Sequence, residues 1–287
     1  MYEGVFINGK FEENGKYIFK DGSYYIGQWK NNLRNGKGIY YHSNGNIIYE
    51  GDYINDKREG NGKLAMEHGE FYIGQFKNGL RNGKGIHYYS NGNIMYEGDF
   101  IDGIAEGNGK YIYEDGNYYL GPYKNGLRDG KGIEYYSNGN IMFEGDFING
   151  QREGNGKYIY PNGNYYIGPY KNGLTNGKGI EYYSNGNVMY EGDYFNGKFE
   201  GNGKYNYPTG EYYIGQFKND IQNGKGIEYY SNGKIKYEGD FVNGVYEGNG
   251  KYIWEDGVHY IGQWKGGAFY GKGILYDSNG NIKEKRN

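Results

Sequence analysis

The chain contains no cysteine, and only 4 prolines and 4 histidines in 287 residues. Without cysteine, disulfides and thiolate zinc sites are excluded, and nothing marks a redox compartment. The scarcity of proline, with no glycine at strict third positions, excludes a collagen helix. No apolar run approaches the ~18 residues a membrane-spanning helix needs. A net charge of -3 and a pI near 5.9 give no overall pull towards nucleic acid, which is not an expected partner. Only Met1 precedes the repeated part of the sequence, so no secretory signal is expected.

What is abundant is glycine and tyrosine, 57 and 40 residues respectively. Glycine stands at about threefold its average usage of roughly 7%. Disordered chains are poor in aromatic residues. With 20% aromatics this chain should fold, tyrosine supplying the buried area that leucine usually supplies.

The segment NGKGIEYYSNGN, residues 176–187, follows Gly173 to give G-x-x-x-G-K-G. A phosphate-binding loop reads G-x-x-x-x-G-K-[ST] and opens a helix. Here the spacer is one residue short, and Gly179 stands where a hydroxyl should hold magnesium. Ile180-Glu181-Tyr182-Tyr183 favours a strand. Gly-Lys-Gly also occurs at residues 36–38, 83–85, 130–132, 224–226 and 271–273, which indicates a structural repeat rather than six nucleotide sites.

An aromatic-x-Gly motif opens each unit, at Tyr2, Tyr25, Tyr49, Tyr72, Tyr96, Tyr119, Phe143, Tyr166, Tyr190, Tyr213, Tyr237 and Tyr260. The spacings alternate strictly between 23 and 24, giving twelve units in six 47-residue pairs. One array spans residues 2–283 and a charged tail spans 284–287.

Each unit reads as a β-hairpin. Aromatic-x-Gly-x-aromatic has a period of two, so Tyr166, Gly168 and Tyr170 share one strand face. Asn172-Gly173 is a hairpin turn signal, because both residues tolerate positive φ. Where the turn glycine is missing, Asn32, Asp56 or Asp220 replaces it, the residue types that best adopt that conformation. Glycines of the second strand make room for neighbouring rings, and Ser-Asn-Gly turns the chain into the next unit. Pro122 and Pro169 cannot donate to a ladder, which predicts a bulge or an outward N–H at both. The fold class is all-β: an elongated, twisted single-sheet antiparallel meander of about 24 strands, roughly 115 Å long at ~4.8 Å per strand, one face curling into a groove.

The string YIGQFKNGLRNGKG, residues 72–85, resembles the MORN repeat (membrane occupation and recognition nexus), Tyr-x-Gly-x-aromatic-x-x-Gly-x-x-x-Gly-x-Gly. The resemblance covers nearly the whole chain. It implies an extended β-meander serving as a scaffold that binds protein segments in its groove. It also implies tendencies to dimerise or to sit at phosphoinositide membranes. Some such arrays carry a neighbouring catalytic domain; here no room for one is expected, and any activity would belong to a partner.

Two sets of residues are candidates for partner binding. The first is the aromatic row Trp29, Phe76, Tyr123, Tyr170, Phe217 and Trp264, equally readable as a structural ladder. The second is Arg34, Arg81 and Arg128, beside the variable first turns, where repeat arrays often bind. Lysine rows through Lys37 and Lys84, and through Lys30 and Lys77, repeat about 19 Å apart, beyond a Debye length of about 8 Å, and read as a solvated mixed-charge face. The histidines His42, His68, His87 and His259 sit at four different repeat positions with no metal-ligand spacing. No catalytic residue, metal or cofactor is expected, and the protein is read as no enzyme.

The leading functional expectation is a non-enzymatic scaffold that binds protein partners and itself. The alternatives are a peripheral binder of anionic phospholipid and an aromatic-rich carbohydrate or choline binder. A cytoplasmic location, associated with cytoskeleton or membrane, is expected. The departures at the ends, Glu13 in the first unit and Ala268-Phe269 in the last, suit edge caps or an end-to-end homodimer.

Overall fold

A computed structural model of the chain describes residues 1–286. It is all-β: 27 strands form one antiparallel sheet, with a three-residue 3-10 turn at Glu67–Gly69. Strands pair with their chain neighbours, as a meander requires. The excess over twenty-four strands has two sources. The second strands after Pro122 and Pro169 are each interrupted, and Ile282–Arg286 adds a last strand. The charged tail therefore largely belongs to the sheet edge, pairing with Ala268–Tyr276.

The contacts divide the chain into two compact units. One comprises Met1–Ile141 with Phe147–Gly150, the other Met142–Asp146 with Gln151–Asn287.

The first unit shows why the sequence folds as hairpins. Asn78 and Gly79 have φ of 52° and 88°, the pair of positive values that turns Phe71–Lys77 tightly into Leu80–Tyr88. Asn32 and Asp56 take 66° and 65° in the glycine place. Their side chains add a contact that glycine cannot make. Asn32 Oδ1 accepts from the Phe11 N–H at 2.7 Å and Asp56 Oδ1 from the Arg34 N–H at 2.8 Å. In the turn to the next unit, Asn91 Oδ1 accepts from Asn93 N–H at 2.9 Å and Gly92 has φ 86°.

Every strand of the hairpins places one glycine in a row across the sheet. Gly62, Gly74, Gly85, Gly98 and Gly109 face one another in turn. The opening aromatic of each unit, a tyrosine everywhere but at Phe143, lies flat over two of them. A methyl group added at Gly74 or Gly85 would fall inside the Tyr72 ring. The tyrosine hydroxyl then reaches along its own strand, Tyr72 Oη donating to the Gln75 carbonyl at 3.1 Å. Tyr25, Tyr72 and Tyr119 are fully buried.

These rings form a herringbone. Tyr72 meets Phe76 at 5.3 Å and 88° and Phe100 at 5.1 Å and 82°, and Phe100 meets Tyr96 at 5.2 Å. Edge-to-face pairs of this kind add about 0.5–1.5 kcal/mol each beyond their burial. The second unit repeats the pattern through Tyr190, Phe217, Tyr213 and Phe241. Its glycine row runs through Gly192, Gly203, Gly215 and Gly226.

Beyond the paired glycines every first hairpin bulges. Gln75 stands alone against Asn82, Gly83 and Lys84, between the pairs Gly74–Gly85 and Phe76–Arg81. Its Oε1 accepts from the Lys84 N–H at 3.1 Å. Pro122 and Pro169 occupy that lone position, so the bulge is where a residue without an N–H is tolerated. The Asp129 and Asn176 N–H groups bond to the Pro122 and Pro169 carbonyls at 3.1 and 3.0 Å.

Two glycine-to-alanine variants separate these roles. Gly85→Ala, under the Tyr72 ring, is expected to cost about 2 kcal/mol or more by overpacking. Gly92→Ala, at positive φ with open space around it, should cost only about 1 kcal/mol. Urea denaturation of both variants checks the order; equal losses would refute the ring–glycine contact.

Candidate functional site

The expected aromatic row lies inside the herringbone. Trp29, Phe76, Tyr123, Tyr170, Phe217 and Trp264 are 3–7% exposed. The indole N–H of Trp29 donates to Gly15 O and that of Trp264 to Gly250 O, both at 3.2 Å. What a visitor to this face meets is the layer above these rings.

That layer comes from the second residue after each first turn. Cross-strand pairing sets it opposite the second aromatic of the motif, as Arg34 opposite Trp29 and Arg81 opposite Phe76. In five units it is arginine. Arg34 lies 4.9 Å from the Tyr53 ring centroid, Arg81 5.0 Å from Phe100 and Arg128 4.8 Å from Phe147. Arg58 and Arg152 do the same over Phe76 and Phe143. Each stacked guanidinium is desolvated on one side and held by the ring quadrupole. Its edge is tied down as well: Arg58 Nη2 donates to Gly79 O at 2.8 Å and Arg81 Nη2 to Gly103 O at 2.6 Å.

In four other units the same place holds a ring. Phe11 stacks on Tyr2 at 3.9 Å, Phe199 on Tyr190 at 3.8 Å, Tyr246 on Tyr237 at 3.8 Å and Phe269 lies 4.0 Å from Tyr260. The layer is therefore a planar group over each buried tyrosine, guanidinium or aromatic. Ala105, Thr175 and Gln222 are the three departures.

A second row stands beside this layer, opposite the buried tyrosines: Tyr40, His87, Glu134, Glu181, Glu228 and Leu275. Its carboxylates are compensated one by one. Glu134 is paired with Arg128, which also donates to the Tyr113 hydroxyl at 3.2 Å and to Gly150 O. Glu228 accepts from the Tyr246 hydroxyl and lies 3.5 Å from Lys236 Nζ. Glu181 differs: burial pushes its carboxyl up, the Tyr194 hydroxyl opposes that, and the nearby Asp220 charge adds to it. Burial also raises the buried tyrosines, Tyr72 and Tyr119 to about 12, so they stay neutral donors across ordinary pH.

The opposite face of the sheet is lined differently. The cross-strand row Ile73, Ile86, Glu97, Lys110, Leu120 alternates apolar side chains with a charge pair. It borders a groove of ≈ 670 Å³, and a second groove of ≈ 700 Å³ runs along Ile167, Ile180, Glu191, Lys204 and Ile214. The Gly-Lys-Gly lysines point outward, and four are paired with Asp, among them Lys84 with Asp99 at 2.8 Å and Lys225 with Asp240 at 2.9 Å. Lys63 and Lys110 lie over the rings of Phe71 and Tyr118. Among the described residues no group of three or more His, Asp or Glu side chains could hold a metal ion. Among the described residues no helix is long and apolar enough to cross a membrane.

Arg34, Arg81 and Arg128 thus share one face and one role, 47 residues apart. The candidate set left out Arg58 and Arg152, which belong to the same layer. The signal was present, since all five lie two residues after the turn. It also missed the carboxylate row, legible only once the strand register is known.

A model of the MORN repeat matches twelve segments: residues 2–24, 25–47, 49–65, 72–94, 96–118, 119–141, 143–165, 166–188, 190–212, 213–235, 237–259 and 260–282. No curated protein matches the sequence. Among solved structures, a mutant of the TCP10 domain of Danio rerio CPAP is 12% identical, covering 94% of this chain and 97% of its own, with a TM-score of 0.20. A protein of unknown function from Bacteroides caccae is 14% identical over 89% of this chain and 91% of its own, at 0.17. BamB from Moraxella catarrhalis is 12% identical over 98% and 76%, at 0.18. These scores carry no structural equivalence.

The coupling between the two rows is testable. The last repeat pairs Phe269 with Leu275 where an earlier one pairs Arg128 with Glu134. Arg128→Phe alone removes a cation beside the buried Glu134 carboxylate and should destabilise by about 2 kcal/mol, below the usual loss for a fully buried pair because Arg128 is partly solvated and Glu134 keeps other contacts. Arg128→Phe with Glu134→Leu should recover most of that loss in a double-mutant cycle read by chemical denaturation. Additive losses would show that the rows are independent.

Proposed function

Because the chain belongs to the MORN-repeat family, we propose that it is a non-enzymatic scaffold that binds protein segments along its aromatic face. The observation that carries this reading is the layer above the herringbone. It consists of guanidinium, phenol and carboxylate groups, and among the described residues no second sheet covers it. Stacked arginine and tyrosine are the side chains that dominate protein recognition surfaces. Trp29, Phe76, Tyr123, Tyr170, Phe217 and Trp264 support that surface from beneath, and Arg34, Arg81 and Arg128 present it.

The titratable groups recur with the repeat and are engaged in holding it, which favours a binding role over chemistry. In the Gly-Lys-Gly row, Lys37, Lys84, Lys178 and Lys225 are matched by Asp, and Lys63 lies over a ring, which disfavours a membrane track along that row. Self-association through the C-terminal edge meets the charged strand Ile282–Arg286, a feature that discourages edge pairing.

The test is photo-crosslinking in cell extract of the native host. A benzophenone side chain replaces Tyr111 or Tyr205 on the aromatic face, or Ile73 or Ile214 on the opposite face. Discrete protein adducts are expected from the first pair and few from the second. Adducts confined to Ile73 and Ile214 would move the binding face, and none from any position would sink the scaffold reading.

A further inference from the structure

The Thr175 position departs from its repeat in a way that leaves a charge behind. One 47-residue pair earlier, Arg128 lies over Tyr119 and Phe147, pairs with Glu134, donates to Tyr113 and reaches Gly150 O. Moving 47 residues along, every receiving group is present: Tyr166, Tyr194, Glu181, Tyr160 and Gly197. Only the arginine is gone, and Thr175 stands in its place.

The space is open. A cavity of ≈ 310 Å³ is lined by Thr175, Glu181, Tyr160, Tyr194 and Gly197, among others. At about 30 Å³ per water that is room for a guanidinium and its alkyl stem. Thr175 Oγ1 is buried here without a hydrogen bond, and the Tyr194 hydroxyl faces the Glu181 carboxyl.

The means of compensation used one 47-residue pair later are absent too. Glu228 has Lys236 and the Tyr246 hydroxyl; the corresponding residues for Glu181 are Met189 and Phe199. Arg152 also lines the cavity, over Phe143 and Tyr158. The charged neighbour that acts on Glu181 is Asp220, another carboxylate.

We propose that the Thr175 cavity is a receptor for an arginine side chain of a partner polypeptide, which enters where the chain's own Arg128 lies one 47-residue pair earlier. The guanidinium pairs with Glu181, stacks over Tyr166 and Tyr194, and donates to the Tyr160 hydroxyl and the Gly197 carbonyl. Arginine is favoured over lysine because the site offers a ring to stack on and several acceptors around one plane, which suits a planar fork and not a point charge. The assignment rests on the scaffold reading and names the chemistry its partner must carry at this point.

Thr175 and Thr209 are the only threonines in the chain, so threonine-methyl NMR reads the site with an internal control. The full-length protein is titrated with the blocked peptide Gly-Gly-Arg-Gly-Gly, with its lysine counterpart, and with free L-arginine. The arginine peptide should move the Thr175 methyl saturably, at millimolar concentration, and leave Thr209 in place. The lysine peptide and free arginine should bind at least several-fold more weakly, and Glu181→Gln should weaken the arginine peptide about tenfold or more. In a separate arm, Thr175→Arg should raise the melting temperature by a few degrees, since it restores the layer found at Arg128. The proposal is overturned if Thr175 does not respond, if lysine or free arginine does as well, if Glu181→Gln has no effect, or if Thr175→Arg lowers stability. Any of these with crosslinking at Tyr111 and Tyr205 intact removes this receptor alone and leaves the scaffold standing.

Discussion

The fold depends on one contact: an aromatic ring laid flat over two glycines that face each other on adjacent strands. A single-layer sheet has no second layer to bury its side chains against, so it must make a core on its own surface. Tyr72 over Gly74 and Gly85, and Tyr213 over Gly215 and Gly226, solve this by sinking the ring to the level of the backbone. Any Cβ in the glycine row would lift the ring out. The hydroxyl is secondary, because Phe143 lies over Gly145 and Gly156 in the same way.

The other features follow from that contact. A lowered ring leaves its upper surface free, and the residue after the turn covers it with a planar group, Arg81 in one repeat and Phe199 in another. The bulge beyond the glycines brings this residue into place, and its lone position tolerates proline. The face that results is a core beneath and a polar, stackable surface above. Where the cover is missing, as at Thr175, the groups that would receive it remain.

The sequence made the hairpin, its turns and the twelvefold period legible because each depends on local residue types. The Asn-Gly turn has positive φ, and Asn32, Asp56 and Asp220 stand in for glycine. The bulge at Pro122 could be inferred from the missing N–H alone. The composition of the binding layer was only half legible. Arg34, Arg81 and Arg128 stood out as a variable cluster, but Arg58 and Arg152 fall in the other unit type and were left aside. Whether Glu134 and Arg128 meet depends on cross-strand register beyond a bulge, which a one-residue shift would abolish. Strand count also escaped the sequence, because the last strand, Ile282–Arg286, carries charge where earlier strands carry rings.

Hydrogen exchange on Tyr213→Ala and Tyr213→Phe tests the ring–glycine contact most directly. Neighbour-only contacts imply a local consequence. The alanine variant should lose amide protection in Lys198–Asn206, Tyr212–Lys218 and Ile221–Tyr229, with protection kept in the distant hairpins. The phenylalanine variant should exchange like the wild type. Unchanged protection in Tyr213→Ala, or a loss spread evenly over the chain, would contradict the account.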